Sequence, residues 1–283
     1  MQTIQMMALR ITTLVEDREG VRKELRHEHG LSFYIEYQGR TLLFDTGQSG
    51  LFLDNADALR INVRKLDHVL LSHGHYDHAG GFRSLCTLTN SFHLWTGAGF
   101  FHAKYDVRQQ VPRFLGCDFG PEYIRQHDIS HTVIDRAVTE IVPGIHAVSR
   151  FPRIHAEEKI PERFALELDG RMKADTFSDE ILLVIETGSG LVVLLGCSHP
   201  GMCNMLDAVK QYFSLPLFAV LGGAHLVEAD DEHLDAVREY LCDASISSLG
   251  LCHCTGEKAE LLFSKTCKGF FSNKTGTVFT VDR

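Results

Sequence analysis

The sequence lacks an apolar run that could cross a membrane. None of its 283 residues begins a stretch of about 18 or more apolar residues, whereas a membrane-spanning helix needs about 20. Residues 1–15 also lack the basic start, long apolar centre and small-residue cleavage site of a secretory signal peptide. We therefore expect a soluble, cytoplasmic protein with no membrane partner.

Basic residues are too few for a protein that grips nucleic acid. Lys and Arg number 28 against 37 Asp and Glu, so the net charge is 28 − 37 = −9. Affinity for nucleic acid comes largely from basic side chains that neutralise phosphates. The composition therefore argues against a nucleic-acid partner, although a local basic patch could still bind a small anionic substrate.

The sequence also lacks a second cysteine pair that could complete a zinc knuckle. Cys252 and Cys254 form a C-x-C pair, but none of the eight cysteines lies in a C-x-x-C motif, and a structural zinc site needs four ligands. Without a secretory signal, the cysteines are expected to be reduced thiols and not a disulfide framework.

The length and the apolar content fit one large domain. A chain of 283 residues with 44% hydrophobic residues can bury a substantial core. We predict a single domain over residues 1–283 with an irregular insertion over residues 100–177, which supplies substrate contacts. Candidate wall residues in that insertion are Phe100, Phe101, Tyr105, Arg108 and Arg113. A homo-oligomer remains open.

Apolar runs and their spacing predict the main elements. Strands are predicted over residues 7–15, 31–37, 41–44, 66–71, 92–95, 180–186, 190–195 and 217–221, and helices over residues 54–62, 82–88, 202–212 and 231–242.

Four metal-binding side chains are crowded into the loop after one of these strands. Residues 69–81 read V-L-L-S-H-G-H-Y-D-H-A-G-G, so His73, His75, Asp77 and His78 fall within six residues. Neutral imidazoles suit Zn²⁺ and other first-row metals, and a carboxylate adds charge. If the loop is extended, His73, His75 and Asp77 share one face and His78 has the other. The loop could thus serve two metals.

The order H-x-H-x-D-H, after an apolar strand and before Gly-Gly, resembles the signature of the metallo-β-lactamase superfamily. The resemblance implies an α/β fold, an αββα sandwich with one or two metals at the upper edge of its sheets. It also implies that His73 and His75 serve the first metal, and that Asp77 and His78 serve the second.

Further candidate residues follow other predicted strands. A catalytic metal needs three or more protein ligands and an open position, and strand ends on the same rim are an economical source of them. Asp45 is expected to hydrogen-bond a metal-binding imidazole and thereby fix its tautomer. The strand-end candidates are Asp45, Cys197, His199, His225 and His253.

The resemblance assigns some of these residues and leaves others open. Cys197 stands where an ordinary member of the superfamily carries a bridging Asp, and His199 follows two residues later. Either His199 completes the first metal's ligands without a carboxylate bridge, or Cys197 binds as a thiolate. His253, in H-C-T-G, matches the last metal-binding histidine and would complete the second metal. His225 stays open between a metal ligand and a substrate-facing acid or hydrogen-bond donor.

Several segments together resemble one branch of the superfamily. F-D-T-G, G-C-S-H-P-G, G-G-A-H-L and H-C-T-G are similar to the branch that contains the 7,8-dihydropterin-6-methyl-4-(β-D-ribofuranosyl)aminobenzene-5′-phosphate synthases. The resemblance spans nearly the whole chain and is weakest over residues 100–177.

The leading functional hypothesis is metal-assisted hydrolysis of a small anionic ester, lactone or phosphate-type substrate. Asp77 would orient the attacking water and His225 would protonate the leaving group. Zinc, as one or two ions, is the expected metal, with iron or manganese as alternatives. Two other hypotheses are a pterin-type transferase and a non-enzymatic ligand sensor. A diiron oxidoreductase is disfavoured, because that branch usually carries an acidic residue where His75 stands and a flavin domain is missing.

Overall fold

The computed structural model describes residues 9–282, so residues 7 and 8 of the predicted first strand lie outside the described residues. Within residues 9–282, seventeen strands form three sheets. The strands are β1 Leu9–Val15, β2 Ser32–Tyr37, β3 Arg40–Phe44, β4 His68–Leu71, β5 His93–Gly97, β6 Ala103–Asp106, β7 Arg113–Phe114, β8 Ser130–Ile134, β9 Val138–Val142, β10 Ile145–Val148, β11 Phe164–Leu168, β12 Arg171–Ala174, β13 Leu182–Thr187, β14 Gly190–Leu195, β15 Leu217–Gly222, β16 Ser248–Leu251 and β17 Val278–Val281.

Seven α-helices in the described part of the chain accompany the strands. They are α1 Leu51–Ala58, α2 Tyr76–Ala79, α3 Phe82–Leu88, α4 Pro121–Gln126, α5 Met202–Tyr212, α6 Asp231–Asp243 and α7 Glu257–Thr266, and two short 3-10 helices cover Val63–Lys65 and His253–Thr255. Among residues 9–282, no helix combines the length and the apolar composition that crossing a membrane requires.

Two large sheets lie face to face with helices on both outer sides. The first sheet has the order β17-β1-β2-β3-β4-β5-β8, and the second has the order β16-β15-β14-β13-β10-β9. Leu42, Phe44 and Leu70 of the first sheet pack against Leu183 and Leu194 of the second. Helices α1 and α3 cover the outside of the first sheet, while α5, α6 and α7 cover the second. These four layers confirm the predicted αββα sandwich.

The sequence of β14 shows why the second sheet is buried. Its six residues, GLVVLL, are all buried, and strands covered on both faces read as continuous apolar runs. Helix α6 instead has one apolar stripe, in which Leu234, Val237 and Leu241 are buried. Asp230 begins that helix, because its carboxylate accepts the N–H of His233 at 2.9 Å.

Parallel pairing brings the candidate loops to one edge. Strand β3 is parallel to β4, so the residues that follow both strands emerge side by side. In the second sheet, β14, β15 and β16 are also parallel neighbours. The loops after these strands therefore leave the sandwich at the carboxyl ends of the strands, where ligands commonly bind in α/β sheets.

Residues 100–177 divide between the sandwich and a small separate sheet. Strand β8 joins the first sheet, and β9 and β10 join the second. The remaining strands form a four-stranded sheet with the order β12-β11-β6-β7. This sheet reaches the segment of residues 72–81 after β4, the metal loop, because Tyr76 N donates to Leu115 O at 2.9 Å. That this small sheet contacts a substrate stays a prediction.

Several predicted elements have the observed bounds or nearly so. Helix α5 matches its prediction over residues 202–212, and α3 matches over residues 82–88. Helix α1 begins and ends earlier than the predicted 54–62. Helix α7 and strand β17 were not predicted; β17 pairs antiparallel with β1 at the opposite end of the chain.

Candidate metal centre

The metal loop changes conformation halfway along its length. Gly74 lies between the first two histidines, where an added Cβ would come within 2.2 Å of the Phe100 carbonyl oxygen. Residues 76–79 form one helical turn, α2, with His75 as its N-cap. The alternation predicted for an extended loop therefore fails at Asp77, because a helical turn places Asp77 beside His78 and away from His73.

One group of donors joins the two halves of the chain. The ligand atoms of Asp77, His78, Cys197 and His253 all lie within 4.8 Å of one another. His78 Nε2 is 3.1 Å from Cys197 Sγ and 3.2 Å from His253 Nε2, and Asp77 Oδ2 is 3.5 Å from His253 Nε2. All four residues are buried.

A second group shares Cys197 with the first. The ligand atoms of His73, Cys197 and His199 also lie within 4.8 Å of one another. The His75 ring is close to this group, with its centroid 4.7 Å from that of His73 and 5.0 Å from that of His199. Cys197 is thus the residue at which the two groups of donors meet.

Unpartnered imidazole nitrogens test whether these residues fit a metal. In the described part of the chain, His73 Nε2, His75 Nε2 and both ring nitrogens of His199 are buried without a hydrogen-bond partner. Leaving a buried polar atom unpaired costs roughly 1–3 kcal/mol, so four in one place need a shared cause. A cation bound by the lone pair of one nitrogen on each of the three rings is such a cause for three of them, and the donor set fits a divalent metal.

The pKa values of these histidines suit the same purpose. Burial holds the pKa of His73, His75 and His199 well below the usual range, which keeps the rings neutral with a free lone pair. Burial conversely raises the pKa of the Cys197 thiol well above its usual range. Binding of a cation would therefore have to release the thiol proton before Cys197 could ligate.

Asp45 lies beneath the metal loop. Its Oδ2 accepts a hydrogen bond from Ser72 Oγ at 2.7 Å and is 2.7 Å from His78 Nδ1, while its Oδ1 accepts from Ser72 N at 2.6 Å. With the proton on Nδ1, His78 directs the lone pair of Nε2 toward the donor group. Asp45 is in the left-handed region, with φ of 62°, and this turn brings its carboxylate under the loop.

Asp17 supports His253 in a similar way, and sequence reasoning missed it. Asp17 Oδ1 is 2.6 Å from His253 Nδ1, and its Oδ2 is 2.8 Å from His29 Nδ1. His29 Nε2 in turn lies 3.2 Å from Asp77 Oδ2. Hydrogen bonds to Asp17 and Asp77 raise the pKa of His29 to about 9. No sequence signal marks Asp17, which is one acid in a polar segment 236 positions from its partner.

Two adjacent acids, Asp179 and Glu180, accept hydrogen bonds from the backbone of the loops that carry His73 and His199, and neither acid was predicted. Glu180 accepts the N–H of Ser198 at 2.5 Å and that of His199 at 2.9 Å. Asp179 Oδ2 accepts the N–H of Gly74 at 2.9 Å, and its Oδ1 accepts from the buried Lys104 Nζ at 2.9 Å. Their position just before β13 reaches both loops, which only the packed sheets reveal.

A cavity of about 250 Å³ opens above the donors. Three arginines line it: Arg108 and Arg163 both pair with Asp106 and Glu228, whereas the Arg113 guanidinium lies 5.7 Å from the Tyr76 ring centre. Two predicted wall residues, Phe100 and Phe101, instead pack against the ring of Phe119. Arginines in such a cavity suit an anionic ligand.

His225 faces the same cavity but belongs to neither donor group. Its ring centroid is 4.3 Å from that of His199 and 5.6 Å from that of Phe164. Burial, aided by the charge of Arg163, lowers the pKa of His225 to about 4. The ring is therefore neutral near pH 7, with an N–H available as a hydrogen-bond donor.

Comparisons with known proteins identify the relatives of this chain. The family model of the metallo-beta-lactamase superfamily matches residues 25–91. The chain is 31% identical over 280 residues, 93% of each protein, to the 7,8-dihydropterin-6-methyl-4-(beta-D-ribofuranosyl)-aminobenzene-5'-phosphate synthase of Methanocaldococcus jannaschii.

Two solved structures show the same fold. A metal-dependent hydrolase of the beta-lactamase superfamily superposes with a TM-score of 0.85 at 30% identity, over 97% of this chain and 100% of the other. Zinc-bound PqqB from Methylobacterium extorquens superposes with a TM-score of 0.60 at 14% identity, over 96% of this chain and 100% of the other; at that identity, the likeness concerns the fold alone.

Proposed function

Because the chain belongs to the metallo-β-lactamase superfamily, we propose that it is a zinc-dependent hydrolase of a small anionic ester, lactone or phosphate-type substrate. One observation carries the proposal: two groups of buried donors share Cys197 beneath a cavity lined by arginines. Solved relatives that share the fold include a metal-dependent hydrolase.

The donor groups suggest how two cations would be held. His73, His75 and His199 would hold one, and Asp77, His78 and His253 would hold the other. Cys197 belongs to both groups, and as a thiolate it would link them where an ordinary member of the superfamily uses a carboxylate. Thiolates and imidazoles are both good ligands for zinc.

When bound, a divalent cation supplies Lewis acidity, which lowers the pKa of water to about 7 and polarises a carbonyl or phosphoryl oxygen. Asp77 would orient the attacking water by accepting a hydrogen bond from it. Burial alone would raise the pKa of Asp77, but the neighbouring His78 and hydrogen bonds from His253 and His29 hold it well below its usual range. The carboxylate is therefore ionised near neutral pH.

Residues of the cavity wall would bind the anionic group of the substrate and protonate its leaving group. Arg113, unlike Arg108 and Arg163, has no acidic partner among residues 9–282, so its guanidinium is free to take the anionic group. His225 would donate its N–H to the leaving oxygen. A bound anion would raise the pKa of His225 toward 7, so that the ring could take up a proton and pass it to the leaving group.

Activity and metal content together test this proposal. Metal-loaded protein should hydrolyse at least one member of a panel of esters, lactones, phosphodiesters and thioesters. His75→Ala should abolish turnover and reduce bound metal, because it removes a ligand. His27→Ala, a matched control at an exposed position, should change neither. Full metal occupancy in His75→Ala would contradict the assignment.

A second candidate is the synthase reaction, which the 31% identity over 93% of the chain favours. In that reaction the anionic leaving group would occupy the arginine-lined cavity while an aromatic carbon attacks. Incubation with an activated hydroxymethyl-dihydropterin and the aminobenzene ribosyl phosphate, followed by mass spectrometry, tests it. Absence of the condensed product excludes this candidate, and absence of turnover in both assays would favour a ligand sensor.

A further inference from the structure

A second and larger cavity lies beside the metal centre. It measures about 660 Å³ and is bounded by a loop over residues 150–160, by residues 176–178 and by Pro200. The two cavities have no lining residue in common. The second cavity therefore has walls of its own, and its chemistry can be considered separately from that of the metal centre.

Three cations line this cavity: Arg150, Arg153 and Lys159. Arg150 and Lys159 are both exposed, and within the described residues neither forms a salt bridge. The Arg153 guanidinium donates to two carbonyl oxygens, that of Pro200 at 2.8 Å and that of Thr176 at 2.9 Å. These acceptors orient the guanidinium, and the buried carboxylates of Glu158 and Glu180 partly balance its charge, so the uncompensated charge at the cavity is that of Arg150 and Lys159.

The one carboxylate among the lining residues is engaged elsewhere. Glu158 accepts the N–H groups of Cys203 at 2.7 Å and Asn204 at 2.8 Å, which lie in the first turn of helix α5. A carboxylate at a helix N-terminus is balanced by the helix dipole. The charge that faces the cavity is therefore positive, in a protein whose net charge is −9, and it would attract an anion.

Apolar and planar surfaces supply the rest of the wall. Half-buried Phe151 and Ile160 line the cavity, and the buried Phe177 lies behind them, its ring stacked on His199 with centroids 3.8 Å apart and planes 15° from parallel. Aromatic walls favour planar apolar groups, and a few charged groups on an apolar lining are typical of small-molecule sites.

We propose that this second cavity binds a small aromatic anion, such as an aryl sulfonate, carboxylate or phosphate, at a site distinct from the metal centre. The ring of the ligand packs against Phe151 and Ile160, and its anionic group pairs with Arg150 and Lys159. Phe177 stacks on the ring of His199, and Arg153 donates to the carbonyl oxygen of Pro200, the residue after His199. The occupant therefore lies next to residues that hold a candidate metal ligand in place.

The test uses 8-anilinonaphthalene-1-sulfonate as the probe, because it is an aromatic anion that fluoresces when bound and its sulfonate is a weak metal ligand. Titration into the metal-loaded full chain should give saturable binding. Benzenesulfonate should displace the probe at concentrations about tenfold lower than its neutral isostere methyl phenyl sulfone. Equal competition by the two compounds would overturn the proposal, since charge would then play no part.

Variants locate the bound probe. Arg150→Gln with Lys159→Gln should weaken binding about tenfold, since each exposed ion pair contributes a few-fold. Arg171→Gln with Lys173→Gln, a matched pair of exposed residues on β12, should leave it unchanged. Arg113→Gln, which alters the other cavity, should also leave it unchanged. Equal affinity in the two double variants, or loss of binding in Arg113→Gln, would overturn the proposed location, whereas the hydrolase proposal is decided by turnover alone.

Discussion

In the candidate metal centre, two imidazoles each have a carboxylate next to Nδ1, the ring nitrogen that points away from the other donors. Asp45 lies 2.7 Å from His78 Nδ1, and Asp17 lies 2.6 Å from His253 Nδ1. Each contact fixes the tautomer that turns Nε2 toward the donors. The two nitrogens thus presented are 3.2 Å apart, a separation that suits two lone pairs directed at one cation.

Asp45→Asn should weaken metal binding about 10- to 100-fold, the usual effect of removing a carboxylate behind a ligating histidine. Competition against a fluorescent zinc chelator measures the change. Asp135→Asn, at an exposed position, is the control and should bind metal like the unaltered protein. An unchanged affinity in Asp45→Asn would show that the carboxylate does not orient His78.

Cys197 invites a direct comparison with the ordinary superfamily pattern. Because its sulfur lies near both donor groups, Cys197→Ala should lower the number of bound metal ions, whereas Cys197→Asp should retain them through a carboxylate bridge. Metal content after gel filtration gives the stoichiometry. If Cys197→Ala still holds two ions per chain, the thiol is not a shared ligand; Cys86→Ala, outside the centre, controls for loss of a thiol.

At the scale of elements, the metal loop depends on close backbone contacts. Gly74→Ala should impair both folding and metal binding, because its Cβ would come within 2.2 Å of the Phe100 carbonyl oxygen. Gly120→Ala meets no atom within 4 Å and should be nearly neutral. Urea denaturation compares the two variants, and equal stabilities would mean that the loop relaxes to admit a side chain.

The buried Lys104 joins the small sheet to the metal loop. Its Nζ binds Asp175 at 3.0 Å and Asp179 at 2.9 Å, and Asp179 holds Gly74. Lys104→Met should lower the free energy of unfolding by roughly 3–5 kcal/mol, because it leaves buried carboxylates without their cation. Denaturant titration measures this, with the exposed Lys173→Met as control. A loss no larger than that of the control would mean that the carboxylates are neutralised by protonation.

At the scale of the whole molecule, the candidate ligands come from both halves of the sandwich. A metal that binds the folded chain alone, at 100 times its dissociation constant, adds about 2.7 kcal/mol to the free energy of unfolding. Chelation should therefore lower the melting temperature. His199→Ala should reduce that shift, since it removes a ligand that comes from the second sheet. A melting temperature that does not change when chelator is added would argue against a metal held between the sheets.

The sandwich could be predicted because its elements carry strong local patterns. The apolar run of β14 and the apolar stripe of α6 are visible in the sequence, and both ends of helix α5 agree with the prediction. Elements without such patterns were missed: β17 has exposed residues among its four and is defined by its pairing with β1.

Ligand spacing and apolar periodicity are properties of neighbouring residues, so the sequence alone predicts which side chains are available and where strands end. The packed sheets add which donors lie together, that Asp77 turns toward His78 and that Asp17, Asp179 and Glu180 support the loops. Those contacts arise where parallel strands of two sheets end at one edge, and a contact across 236 positions leaves no local pattern in the chain.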